Sequence, residues 1–85
     1  SIGFALGQVL GEQITFKDGY VEQQNFNRYK PIRISQMPDV EVHIVASQEP
    51  PTGVGEPGVP PLAPAVANAV FAITGKPVTT LPINV

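Results

Sequence analysis

Cysteine is missing from all 85 residues, tryptophan is also absent, and histidine and methionine occur once each. Without thiols this stretch has no disulfides, no iron–sulfur ligation and no thiol nucleophile. One histidine with so few companions cannot assemble a zinc site, so a metal working beside these residues has to bring its own ligands. Charge is scarce too: five Lys and Arg face seven Asp and Glu, for a net charge of -2. Such sparse, scattered charge gives no electrostatic footprint for nucleic acid. No apolar run in this segment approaches the ~20 residues of a membrane span, and these residues contain no basic segment leading to a cleavage site of the signal-peptide kind.

What is present is enough to fold. Leu, Ile, Val and Phe supply 26 of the 85 residues, well above the level at which disorder is expected. The 8 glycines and 10 prolines stay below a low-complexity composition. A chain of this size makes one small unit at most, able to bury only about 60–65% of the surface its unfolded form exposes. The expectation is a single α+β unit over residues 1–85, folded alone or within something larger.

The opening residues place Ile2, Ala5, Leu6, Val9 and Leu10 on one stripe at helical spacing. Gly3 and Gly7 lie four apart and permit close packing against another element, and Gly11 is a stop signal. A helix beginning at the first residue, with no room for a cap, reads as a cut through a longer chain. Next comes Thr15-Phe16-Lys17-Asp18-Gly19-Tyr20-Val21-Glu22. Asp-Gly between alternating residues is the type I′ hairpin signature, because both turn positions need positive φ. That register sets Phe16 opposite Val21 and Thr15 opposite Glu22. After an irregular, proline-bearing segment, Val40-Glu41-Val42-His43-Ile44-Val45 alternates and predicts a third, half-buried strand. Leu62 to Thr74 is alanine-rich and apolar nearly all round, with Pro61 and Pro64 suited to a first turn and Gly75 and Pro77 ending the helix. A helix without a polar face expects cover on every side, and a hairpin and one strand cannot supply it.

Between strand and helix runs Pro50-Pro51-Thr52-Gly53-Val54-Gly55-Glu56-Pro57-Gly58-Val59-Pro60-Pro61, with residues 52–60 the candidate active-site loop. Glu56 is its one acid, and beyond it only Lys76 carries a formal side-chain charge. Proline limits the shapes this loop can take, while glycine lets backbone approach another surface. A lone carboxylate in such a setting either idles in solvent or is held for proton transfer. Desolvation, if it occurs, moves a carboxyl toward use as a base near neutral pH. His43 reads as a strand residue rather than a ligand. Arg28, Lys30 and Arg33 read as solvated or protein-contacting charges, and Asn68 would need a partner if buried.

The loop with the following Ala63-Pro64-Ala65-Val66-Ala67-Asn68-Ala69-Val70-Phe71-Ala72, then Thr74-Gly75-Lys76 and Leu81-Pro82-Ile83, resembles the C-terminal part of molybdenum hydroxylase large subunits. These are the xanthine dehydrogenase and aldehyde oxidoreductase family, and the likeness extends to its isoquinoline 1-oxidoreductase beta-subunit type. Asp18-Gly19, Gln24-Asn25-Phe26 and Val40 to Val45 share the likeness, which runs across nearly the whole chain. Pro77 departs from it, standing where relatives often carry a basic residue.

The resemblance implies a fragment of a larger molybdopterin-binding domain. Its parent would hydroxylate N-heterocycles or oxidise aldehydes with water-derived oxygen, passing electrons to an iron–sulfur subunit or domain. It also implies that Glu56 is the general base and that Gly53 and Gly55 let the backbone approach a molybdenum–molybdopterin cofactor. Most of that cofactor would be held by the remainder of the large subunit, so the fragment alone is expected to be inactive. Because the cofactor supplies its own metal ligands, no residue here is expected to bind metal, and the absence of cysteine is compatible. The contrasting expectation, from a different class, is a stand-alone interaction module that binds a partner protein through the loop and the apolar helix.

Overall fold

In the computed structural model, which describes residues 1–84, the elements are α1 (Ile2–Leu10), β1 (Phe16–Lys17), β2 (Tyr20–Val21), a 3₁₀ turn (Ile34–Gln36) and α2 (Leu62–Thr74). This is an α+β arrangement of two helices and one two-stranded antiparallel sheet.

The hairpin forms in the expected register, Phe16 paired with Val21 and Lys17 with Tyr20. Asp18 and Gly19 take φ of 51° and 81°, the positive values that a type I′ turn requires. Thr15 extends the pairing: its carbonyl accepts from the Glu22 amide at 2.9 Å, and its hydroxyl bonds the Glu22 carboxylate at 2.6 Å. Gln23 completes the knot, accepting from the Thr15 amide and donating to its hydroxyl, both at 2.8 Å.

Helix α1 buries Ala5, Leu6, Gly7 and Val9, the face marked by the apolar stripe. Its glycines approach the irregular segment rather than another regular element. A Cβ at Gly3 would stand 2.8 Å from Met37 Sδ, and one at Gly7 would stand 3.3 Å from the Ile32 nitrogen and press on the Glu12 side chain. Helix α2 starts and stops where its prolines and Gly75 dictate. Gly75 adopts φ 68° and donates to the Phe71 carbonyl at 2.8 Å, a left-handed C-terminal cap.

The two helices pack together, and the tail after α2 returns to them. The core is small: Ala5, Leu6 and Val9 of α1, with Ile83 from the tail, are the buried apolar residues. Ile83 follows a cis Leu81–Pro82 peptide.

One expectation fails. Residues 40–45 form no strand: none of them enters a ladder, and all are exposed, with Val42 and Ile44 at 77% and 92%. The period-2 pattern chose a face, but a strand also needs a neighbour, and none lies beside it among the described residues. Helix α2, which a hairpin and one strand cannot cover, has no buried residue; Phe71 and Ile73 are 50% and 85% exposed. Asn68 is exposed as well, which removes its need for a partner.

The outline agrees with this sparse core. The Cα radius of gyration is 16.1 Å, against about 12 Å for a compact domain of this length. The accessible surface is 7223 Å², against roughly 4,900 Å² for a compact monomer of this mass.

Candidate active-site loop

Glu56 sits on the long connection into α2, and turns fix its backbone. The Glu56 carbonyl accepts from the Val59 amide at 2.9 Å, and the Val59 carbonyl then accepts from Leu62 at 3.3 Å. The Pro61 carbonyl accepts from Ala65 at 3.1 Å, in the first turn of α2. Proline drives this route, since Pro57, Pro60 and Pro61 have fixed φ and no amide to divert the hydrogen bonds.

The carboxylate itself is exposed, as is every residue from Pro50 to Pro57. Among the described residues no hydrogen bond or ion pair reaches it. The desolvated setting considered for this acid is therefore not built by these residues. The reason is physical: the apolar neighbours that would exclude water are themselves spread in solvent, so cover has to come from another surface.

Gly53 and Gly55 share this openness. A Cβ added at either meets no atom within 4 Å, and neither has positive φ. No contact inside this chain demands glycine there. Gly58 differs, because a Cβ there would press on the Ser1 side chain and reach Ile2 Cγ1 at 3.7 Å. The loop thus leans on the start of α1 through Gly58, a contact the sequence reading missed. Only tertiary packing reveals it, since nothing local separates Gly58 from its neighbouring glycines.

The other singled-out residues lie elsewhere. His43 Nε2 stands 3.7 Å from the Glu41 carboxylate, both side chains in solvent. Arg28 donates to the Glu22 carbonyl at 3.4 Å. Tyr29 Oη donates to the Glu12 carboxylate at 2.5 Å, and this bond, with burial and the negative charge adding to it, raises the tyrosine pKa above its ordinary 10.0. An open hollow of about 380 Å³ adjoins this pair, lined by Ile14, Gln23, Phe26 and Tyr29 among others. A second, of about 560 Å³, lies between the end of α2 and the tail, with Lys76 on its wall. Neither includes Gly53, Gly55 or Glu56. Among the described residues no three His, Cys, Asp or Glu side chains gather as a metal-binding group, and no helix is long and apolar enough to cross a membrane.

No family model matches the chain, and no solved structure matches it. Curated proteins do. The chain is 34% identical, over 95% of its length, to a membrane-bound aldehyde dehydrogenase [pyrroloquinoline-quinone] of Gluconacetobacter polyoxogenes. It is 33% identical over 93% of its length to isoquinoline 1-oxidoreductase subunit beta of Brevundimonas diminuta. It is 34% identical over 98% of its length to a putative xanthine dehydrogenase molybdenum-binding subunit of Escherichia coli. The chain spans about a tenth of the length of these relatives, 10% to 12%. The likeness thus runs over more than nine tenths of the chain, and the relatives it reaches are an aldehyde dehydrogenase, an isoquinoline 1-oxidoreductase subunit and a putative xanthine dehydrogenase molybdenum-binding subunit.

Proposed function

We propose that this chain is part of a larger molybdenum-dependent oxidoreductase, and that Glu56 is the general base of its active site. The parent hydroxylates N-heterocycles or oxidises aldehydes, with oxygen derived from water. One observation carries the reading: the single acid of a proline-stiffened loop stands in solvent beside Gly53 and Gly55, whose surroundings are open. A base that serves a site built mostly by other segments needs this kind of presentation.

What these residues offer is compatible with a molybdopterin cofactor. A group whose metal is ligated by its own dithiolene sulfurs asks the protein for backbone approach and a proton acceptor, not for a cluster of His and Cys. The loop offers an open glycine backbone at residues 53 and 55 to hold it, and one carboxylate. When bound, the cofactor supplies the two-electron redox capacity. With the cofactor taking the two electrons, Glu56 would accept, at a carboxylate oxygen, a proton from the water that donates the oxygen. Gly58, seated on Ser1 and Ile2, fixes one end of the loop and so limits where that carboxylate can reach. The remainder of the subunit supplies water exclusion, and an iron–sulfur subunit or domain takes the electrons. This piece alone is inactive.

The test is Glu56→Gln in the full-length parent. Folding and molybdenum content stay near those of the unaltered protein, while turnover falls by about 10²- to 10⁴-fold, the usual contribution of a positioned acid or base. A Glu56→Gln enzyme that keeps its rate rejects the assignment. A fully matured parent without molybdenum rejects the wider reading, and pyrroloquinoline quinone, which the Gluconacetobacter relative carries in its name, is the other cofactor to assay.

A further inference from the structure

Residues 40–45 have the pattern of a strand and the surroundings of none. Val40, Val42 and Ile44 share one side of the alternation, and all are exposed. Glu41, His43 and Val45 share the other, and the Glu41 and His43 side chains meet at 3.7 Å, the contact that extended backbone gives to residues two apart. Within residues 37–46 the one backbone hydrogen bond is made at the edge, from Met37 to the Ile34 carbonyl. Backbone donors and acceptors from Val40 to Val45 are therefore unpaired within the described residues.

We propose that residues 40–45 form a β-strand that completes a sheet by pairing with a strand from the remaining length of the parent polypeptide. This rests on the reading that the chain is part of a larger subunit, and it adds an interaction surface to that reading. The chemistry of the partner follows from the pattern. Six residues at about 3.3 Å each give a pairing edge of roughly 20 Å. Pro38 on one side and Pro50-Pro51 on the other limit its extension, since proline cannot donate to a ladder. The face of Val40, Val42 and Ile44 packs against the parent's body while Glu41 and His43, with Val45 at the end of the strand, face the other way, as in an antiparallel sheet covered on one side.

The hairpin of this chain is an unsuitable occupant, for its strands are two residues each, too short for a six-residue edge. The relatives, about ten times longer than the matched segment, carry ample chain to provide the neighbour. The loop 50–61 follows directly, so a strand anchored at 40–45 would also fix the end of that loop remote from α2.

Hydrogen exchange followed by mass spectrometry on the natural full-length protein tests this. Amides in residues 40–45 should exchange at least ~100-fold more slowly than the intrinsic rate of an unstructured chain, independently of protein concentration. Exchange at the intrinsic rate overturns the proposal. So does protection that grows with protein concentration, which marks a second copy as the partner, or a natural product no longer than these 85 residues. The same measurement on the Glu56→Gln parent separates the two readings, because strand protection does not depend on the base. Protection with unimpaired turnover rejects the catalytic assignment alone, and lost turnover without protection rejects the strand alone.

Discussion

The backbone amide of Ile83 donates to the carbonyl of Val9 at 2.7 Å, tying the tail beyond α2 to the last turn of α1. Val9 is among the final residues of α1, whose carbonyls have no partner inside the helix. The tail satisfies that orphan acceptor and at the same point buries the Ile83 side chain, which is only 5% exposed. In a core of four apolar residues, three of them on α1, this contact fastens the tail that follows α2 to α1.

Ile83→Ala should therefore destabilise the unit by about 2 kcal/mol, the lower end of the range for truncating a buried isoleucine, because a small open core can partly collapse around the loss. Urea unfolding checks it: the midpoint falls while the slope is unchanged. An unshifted midpoint would show that the tail contributes nothing to the fold.

A second outcome concerns pH. The Tyr29 hydroxyl donates to the Glu12 carboxylate, and the bond raises its folded pKa above the ordinary 10.0. Because the folded state holds this proton more tightly than the unfolded state, the contribution is complete below the unfolded pKa. It is lost as pH rises from about 10 through the folded value. Ultraviolet titration should place the Tyr29 phenolate above 10.0 in the unaltered chain and nearer the ordinary value in Glu12→Ala. An identical Tyr29 midpoint in both proteins rejects the link.

The turn gives a third. Gly19 at φ 81° occupies backbone that a β-branched residue enters only with strain of order 1–3 kcal/mol. Gly19→Val should abolish the cross-strand nuclear Overhauser contacts between Phe16 and Val21 while leaving those of α1 intact. Retained hairpin contacts would mean that the Thr15, Glu22 and Gln23 side-chain bonds alone hold the pair.

These cases show what local chemistry makes legible. Asp18-Gly19 names its own turn, and Pro61, Pro64 and Gly75 fix both ends of α2, since each signal acts within a few residues. Val40 to Val45 alternates like a strand yet forms none among the described residues, because alternation encodes a face, whereas a ladder is completed by a partner far away in sequence or outside it. Gly3 and Gly7 announced close packing, but Met37 and Ile32 as their neighbours could only be seen in three dimensions. The candidate site divides the same way: Glu56 stood out by its isolation among Gly and Pro, while its exposure and the seat of Gly58 on Ser1 depend on tertiary arrangement.

The outer face of α2 supplies the last expectation. Ile73 is 85% exposed on a helix with no polar side and no buried residue, although such a helix expects cover all round. In the 85-residue chain Ile73→Asp should change stability by no more than ~0.5 kcal/mol, as for an ordinary surface substitution. In the full-length parent the same change would place an unpaired carboxylate under the covering segments, at a cost of roughly 3 kcal/mol or more. Thermal unfolding of both proteins, with and without the substitution, measures the difference directly. Equal, small effects in the two would mean that α2 keeps its apolar face in water even in the parent, and that a partner outside the polypeptide is the remaining occupant.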